Sequence, residues 1–162
     1  MENISPHITY AEATNSQTAK AKGIKNIPPP EVLDRMKLVA RMIFEACRLY
    51  FGKPIFVSSF YRCPDLNVAI GGSKTSSHVK GEAMDMDGDV YGSPSNKEIF
   101  EFIRDNLKFD QLIIEGITNG KMAWVHCSYK ATNRNQVLFM YKDKGKTVYE
   151  PYSEARYKKL IY

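Results

Sequence analysis

Residues 76–85 read Ser-Ser-His-Val-Lys-Gly-Glu-Ala-Met-Asp, and residues 124–128 read Trp-Val-His-Cys-Ser. These two stretches contain two of the three histidines in the chain, His78 and His126, and the aspartate Asp85. Two neutral imidazoles and one carboxylate can bind zinc and leave a fourth tetrahedral position for water, as in catalytic zinc sites. Such a zinc lowers the pKa of its water and polarises a carbonyl group. The sequence therefore predicts one catalytic zinc per chain.

The strand pattern brings the three candidate ligands together. Residues 82–87 predict a strand that carries Asp85, and residues 110–115 and 122–128 predict a hairpin around Asn119-Gly120. If these two residues are the centre of the turn, Glu115 lies opposite Trp124 and shares a sheet face with His126. Glu115 and His126 are then diagonal neighbours about 7–8 Å apart at the backbone. We interpret Glu115 as the general base, although a one-residue slip would turn it to the other face.

Other polar residues have less specific patterns. Arg62 ends a predicted buried strand over Ile55–Phe60, and its guanidinium suits a carbonyl oxygen or a carboxylate. An exposed surface arginine is an equally good interpretation from spacing alone. His7 is interpreted as a hydrogen-bonded residue near a mobile end. The run from Asp85 to Asp89 resembles a calcium loop, but its twelfth position is Asn96 rather than glutamate, which argues against calcium.

Periodicity and capping signals predict a single α+β domain over residues 1–162. A capping box at Thr9–Glu12 begins a short helix toward Gly23, and an amphipathic helix runs from Glu31 to Gly52. Further predicted elements are a helix after Ser95, a hairpin of Gln136–Tyr141 with Thr147–Tyr149, and a short helix within Ser153–Tyr162. Early helices and late strands favour helices packed on one face of a mainly antiparallel sheet.

Composition narrows the classes of function. The net charge is +5 with a pI of about 9.0, but the basic residues are scattered, which disfavours nucleic acid and allows mild attraction to an acidic polymer. Three cysteines without close pairing predict reduced thiols. The chain has no apolar run near the length of a transmembrane helix and no visible signal peptide, so we expect synthesis in the cytoplasm. We also expect a monomer.

A longer pattern adds a family resemblance. Ser76-x-His78-x-x-Gly81-x-Ala83-x-Asp85 with a downstream Trp-x-His resembles the D-alanyl-D-alanine carboxypeptidase family of zinc peptidases. The fold of that family is shared with the zinc domain of hedgehog proteins. Further matching segments, some of them similar to a phage-associated branch, extend the resemblance over about residues 7 to 130: Ser16-x-x-Ala19, Gly23-Ile24-x-Asn26-x-Pro28, Ser59-Phe60-Tyr61-Arg62, Asn67, Gly71-Gly72 and Phe109-Asp110-Gln111-Leu112-Ile113.

The resemblance implies roles for individual residues. It implies a zinc ion bound by His78, Asp85 and His126, and cleavage of peptide bonds in peptidoglycan stem peptides, often next to D-alanine. Arg62 matches the arginine that holds the substrate carbonyl, and Ser76 matches a serine that contacts substrate. Several branches place an acidic residue three positions before the last histidine, or a second histidine two positions before it. Here those positions are Ala123 and Trp124, so Glu115 is the substitute base.

Two alternatives remain open at this point. The first is a non-catalytic zinc module, hedgehog-like, that binds cell wall or protein, and the lack of a base before His126 favours it. The second is a structural protein of a phage particle. A peptidase without a leader would reach the wall through a phage lysis system or by release with a virion. The bond cleaved, and the choice between carboxypeptidase and endopeptidase, are open as well.

Overall fold

The computed structural model describes residues 2–162. Most helices lie in the first half of the chain and most strands in the second. The helices are α1 Tyr10–Thr14, α2 Gln17–Lys22, α3 Pro30–Val39, α4 Glu45–Phe51, α5 Pro64–Ala69, α6 Asn96–Asn106 and α7 Glu154–Leu160. The strands are β1 Phe56–Ser59, β2 Ala83–Asp87, β3 Gln111–Glu115, β4 Trp124–Ser128, β5 Gln136–Asp143 and β6 Lys146–Pro151.

The six strands form one sheet in the order β1-β2-β4-β3-β5-β6. Four of the five neighbouring pairs are antiparallel, and the pair β3–β5 is parallel. The α+β class and the mainly antiparallel sheet that the sequence predicts are therefore confirmed.

The two faces of the sheet differ in character because successive side chains alternate. One face packs under the helices and is fully buried, with Met84 on β2, Cys127 on β4 and Phe139 on β5. The opposite face carries the polar residues Asp85, His126 and Glu115 and lines an open cleft. The alternation thus separates a hydrophobic core from the candidate site across one layer of strands.

The long predicted helix is present, with a local change of winding. The segment α3, a π-helical turn at Ala40–Phe44 and α4 follow one another without a break, and Gly52 ends them at φ +63°. Glycine adopts this left-handed conformation readily, which explains the stop. Tyr50, which the pattern places on the inner face, is instead 67% exposed and stacks on Phe102 with ring centroids 4.2 Å apart.

Two other local predictions are wrong. The single helix expected after the capping box is two helices, because Asn15 is extended and Ser16 caps a new helix through Ala19 N–H. The strand expected to be buried is β1, which is short and half-exposed because it forms one edge of the sheet. The segment around His7, expected to be mobile, is also held in place, because Ile4 and Ile8 are buried in the core.

Candidate metal centre

His78 is buried in the loop before β2 with one ring nitrogen fixed and the other free. Its Nδ1 lies 2.7 Å from the Phe60 carbonyl oxygen. A carbonyl only accepts hydrogen bonds, so Nδ1 carries the proton and Nε2 of the neutral ring presents a lone pair. Burial lowers the pKa of His78, although Asp85 opposes the shift, and this favours the neutral ring.

The free nitrogen of His78 faces a carboxylate. His78 Nε2 lies 3.2 Å from Asp85 Oδ1, yet no well-aligned hydrogen bond joins them, and Nε2 is a buried polar atom without a partner. Two lone pairs that face each other in a buried site repel unless a proton or a cation lies between them. The arrangement therefore fits a metal ion, which accepts electron pairs from both atoms.

His126 completes the group from the neighbouring strand. Asp85 on β2 is the direct cross-strand partner of His126 on β4, and His126 Nδ1 lies 2.8 Å from Asp85 Oδ1. One atom from each of His78, Asp85 and His126 can be chosen so that all lie within 4.8 Å of one another. Two imidazoles and one carboxylate are a ligand set that zinc prefers, with one position left open.

The charge of Asp85 agrees with metal binding, whereas the raised pKa of His126 favours a proton that a metal ion would have to displace. Burial alone raises the pKa of Asp85, but the two imidazoles outweigh it and hold the pKa well below its usual value. For His126, burial lowers the pKa, but hydrogen bonding to Asp85 and the charges of Asp85 and Glu115 raise it overall. Asp85 is thus a stable carboxylate, the form that ligates metals.

Glu115 lies beside this group without joining it. The register predicted from the turn is confirmed, because Glu115 pairs with Trp124 and Ile113 pairs with His126. Glu115 Oε1 lies 3.9 Å from His126 Nδ1, and Glu115 Oε2 accepts a 2.8 Å hydrogen bond from Trp124 Nε1. Burial, with a contribution from the charge of Asp85, raises the pKa of Glu115. A carboxylate whose pKa is shifted toward neutrality is suited to general-base work.

Arg62 and Ser76 lie at the rim of the same site. Arg62 is half-buried, its Nε has no hydrogen-bond partner, and burial lowers its pKa against the charges of Asp85 and Glu115. The interpretation of Arg62 as an exposed surface residue is therefore wrong. Both residues line a cleft of about 780 Å³ that also contains His78, Asp85 and His126.

The comparison with known families agrees with this geometry. A model of the family described as Peptidase M15 matches residues 6–128, three quarters of the chain and all the residues of the site described above. The chain belongs to the peptidase M15 family. This is a family of zinc metallopeptidases. No curated protein matches the chain.

Several polar residues lie outside the M15 site. His7 pairs with Glu45 of α4, with Nδ1 2.7 Å from Oε2, and neither residue lines the cleft. Cys47, Cys63 and Cys127 are free and buried, in agreement with the predicted thiols. Every helix in residues 2–162 is too short or too polar to span a bilayer.

Two features of the M15 cleft did not follow from the sequence. The first is the hydrogen bond from Trp124 to Glu115, which depends on side-chain conformation as well as on register. The second is the hairpin of β5 and β6, whose residues Leu138, Met140 and Tyr149 line the cleft. The hairpin itself is predictable, but its place beside β3 comes from a parallel pairing that no local signal reports.

Proposed function

We propose that the protein is a zinc-dependent peptidase that hydrolyses peptide bonds in peptidoglycan stem peptides, next to D-alanine. The observation that carries the proposal is the unpartnered, buried His78 Nε2 facing the Asp85 carboxylate at the floor of an open cleft. A catalytic metal needs an open position for water or substrate, which ligands at a cleft provide and ligands in a closed core do not.

The proposed metal ligands are His78, Asp85 and His126, with one zinc per chain. Zinc bound there supplies Lewis-acid activation of a water molecule and of the substrate carbonyl. The Phe60 carbonyl fixes the ring of His78 so that Nε2 points to the metal, as partners of ligating histidines commonly do.

Glu115 is proposed to act as the general base and then as the general acid. It takes the proton of the attacking water and delivers it to the nitrogen of the leaving amine. Its Oε2 is held by Trp124, which leaves Oε1 on the side of His126. Burial favours this role because it raises the basicity of the carboxylate.

Arg62 and Ser76 are proposed to bind the substrate. Arg62 is half-buried and lines the cleft, and we propose that its guanidinium donates to the substrate carbonyl and to the charge that develops on its oxygen. Ser76 lines the same cleft and offers a hydroxyl to the substrate backbone. Each group acts on the substrate without displacing a metal ligand.

Peptidoglycan is the proposed partner for two reasons. The motif of residues 76–85 is similar to that of enzymes that cleave its stem peptides. The net charge of +5 also favours approach to an acidic wall polymer. We propose that the protein is a monomer, does not act on nucleic acid, and reaches the wall after synthesis in the cytoplasm, through a phage lysis system or with a released virion.

The second candidate function is a non-catalytic zinc module that binds cell wall or protein. The observation in its favour is that Ala123 and Trp124 occupy the positions where several related branches carry an acidic residue or a second histidine. The half-buried Glu115 beside His126 weighs against it, because a pure binding module has no need of a carboxylate there.

The deciding experiment treats purified peptidoglycan with the zinc-loaded protein and determines the masses of the released fragments. Release of peptides or of free D-alanine supports the peptidase and identifies the bond cleaved. Retention of one zinc per chain with binding to the wall but no new fragments would support the binding module instead. A protein that retains no zinc would leave only a structural role.

A further inference from the structure

The cleft extends well beyond the metal group, onto a part of the chain that the M15 family model does not cover. That model ends at residue 128, whereas β5 and β6 begin at Gln136 and Lys146. The two strands continue the sheet from β3, and their cleft-facing residues extend the same open face. The hairpin is therefore a wall of the candidate active site that belongs to this chain's own C-terminal part.

Strand pairing aligns the cleft residues in rows that run across the sheet. One row begins at the metal group and crosses three more strands: Asp85, His126, Ile113, Leu138 and Pro151. A second, parallel row runs from Trp124 through the candidate base to the outer strand: Trp124, Glu115, Met140 and Tyr149. A substrate that lies across the strands from the metal would follow these rows.

The lining of the cleft changes from charged to uncharged side chains along each row. The charged side chains that line the cleft lie at the metal end, within the described chain: Arg62, His78, Asp85, Glu115 and His126. The distal end is lined by uncharged residues: Ile113, Leu138, Met140, Thr147, Tyr149 and Pro151. The apolar lining at Leu138, Met140 and Tyr149 favours an uncharged ligand, because a charged group would lose hydration there. A cation lies at the outer rim, where Lys142 pairs with Thr147 and donates a 2.6 Å hydrogen bond to Thr147 Oγ1.

Tyr149 is the most prominent residue of the distal end. Its side chain is 56% exposed on the cleft face of the edge strand, although Tyr149 is large and aromatic. An exposed aromatic ring at the end of a cleft gives a large rigid contact area for a ligand. Burial and the charges of Glu115 and Asp85 raise the pKa of the Tyr149 hydroxyl.

The size of the cleft sets the length of the ligand. Neighbouring strands lie about 4.8 Å apart, so the three steps from β4 to β6 span about 14 Å. An extended peptide advances about 3.3–3.6 Å per residue and would cross that distance in about four residues.

We propose that the cleft face of the β5–β6 hairpin is a distal subsite for an uncharged stretch of peptide about four residues from the scissile bond, with Tyr149 as its specificity-determining residue. The inference rests on the proposed function, because it takes a peptide that is cut at the metal. It adds a length requirement that the metal ligands do not impose, so dipeptides are poor substrates and longer uncharged peptides are good ones.

The test uses two series of sugar-free synthetic peptides, extended by uncharged residues on one or the other side of the scissile bond. In one series we expect kcat/KM to rise with length and to level off near the fourth added residue. In Tyr149→Ala the ratio of kcat/KM between the longest and shortest peptides falls by about tenfold, equivalent to about 1.4 kcal/mol of binding free energy.

The matched control is Tyr141→Ala, the same truncation on the opposite face of the same hairpin. Tyr141 pairs with Val148 and donates a hydrogen bond to Glu150, away from the cleft. The control should keep the wild-type ratio. If Tyr141→Ala flattens the length dependence as much as Tyr149→Ala does, loosening of the hairpin explains the effect and the subsite is wrong.

A binding measurement decides the subsite even without turnover. Calorimetry with Glu115→Gln compares a six-residue uncharged peptide on backgrounds with Tyr149 and with Tyr149→Ala. Weaker binding without the tyrosine supports the subsite, even if the wild type proves to cut no peptide and the proposed function fails. Equal affinities in the two backgrounds would overturn the subsite. It would also be overturned if Tyr149 raised the affinity only for peptides that carry sugars.

Discussion

The indole of Trp124 holds one oxygen of Glu115 and leaves the other free. Trp124 Nε1 donates a 2.8 Å hydrogen bond to Glu115 Oε2, while Glu115 Oε1 lies 3.9 Å from His126 Nδ1. The two residues are cross-strand partners, so the bond joins side chains that already share a sheet face. Trp124 is therefore a positioning residue for the proposed base.

Replacement of Trp124 by phenylalanine should lower kcat by about tenfold, the scale of one hydrogen bond to a charged group. KM should stay within about twofold, because Trp124 acts through Glu115 and the remaining ring still fills the same space. The measurement is steady-state kinetics on a peptide substrate. A proportional rise in KM with unchanged kcat would assign Trp124 to substrate binding instead.

The same variant should shift the pH profile. The Trp124 hydrogen bond lowers the pKa of Glu115, so its loss raises that pKa further. A base is active when deprotonated, and the acid limb of the kcat/KM profile should therefore move to higher pH. A purely structural role for Trp124 would reduce activity without moving the limb.

Glu115→Gln keeps the shape of the side chain and removes the base. Turnover should fall by about 10²–10⁴-fold, the usual contribution of one general base. Zinc content and thermal unfolding should remain those of the wild type. The control is Glu150→Gln, a half-buried glutamate that pairs with Phe139 on β5 and bonds to Arg156, away from the cleft. If Glu115→Gln cleaves at the wild-type rate, Asp87 becomes the next carboxylate to test.

Alanine at any of His78, Asp85 or His126 should abolish stoichiometric zinc, because two ligands cannot hold the ion in a tetrahedral site. Elemental analysis of the purified variants measures the metal directly. His7→Ala is the control and should retain one zinc per chain, since His7 is engaged with Glu45. One zinc per chain in His126→Ala would show that the proposed metal site is wrong.

Asp110 gives a prediction for stability. It is buried at the start of β3 and bonds to Arg134 Nε and Nη2 at 2.9 and 2.7 Å. Burial alone raises its pKa, but Arg134 and Lys130 outweigh it and the net pKa lies below the usual value. Asp110→Asn should therefore lower the free energy of unfolding by about 1–3 kcal/mol at neutral pH.

The pH dependence of that loss follows from the sign of the shift. A group with a depressed folded pKa stabilises the fold above its unfolded pKa of about 3.9, and the contribution disappears as the pH falls through the folded value. Denaturant unfolding should show a constant difference between the wild type and Asp110→Asn from pH 7 to about pH 4, and a shrinking difference as the pH is lowered further. A constant difference at all pH values would mean that the ion pair does not contribute.

The register of the site was predictable because a tight turn fixes it. Asn119 and Gly120 have φ angles of +49° and +75°, as a two-residue turn with two left-handed positions requires. Thr118 then pairs with Lys121, and counting outward leads to Glu115 opposite Trp124. Local chemistry was enough to decide which face each residue occupies.

The features that could not be predicted from the sequence depend on contacts between distant segments of the chain. The burial of Arg62 arises beside the loop of residues 71–78, whose path no periodicity describes. The edge position of β1 likewise depends on the order of strands in the sheet. The distal cleft wall exists only because β5 pairs in parallel with β3, across a connection from Tyr129 to Asn135.

Cys127 follows His126 in the chain but points to the opposite face of the sheet, fully buried. Burial raises its pKa well above the usual value and raises that of Cys47 to about 12. Thiols kept in this form resist oxidation and air-induced cross-linking. Cys63 is buried as well. We therefore expect that the protein can be purified without dithiol reductants, which bind zinc, so that the measured zinc content is that of the protein itself.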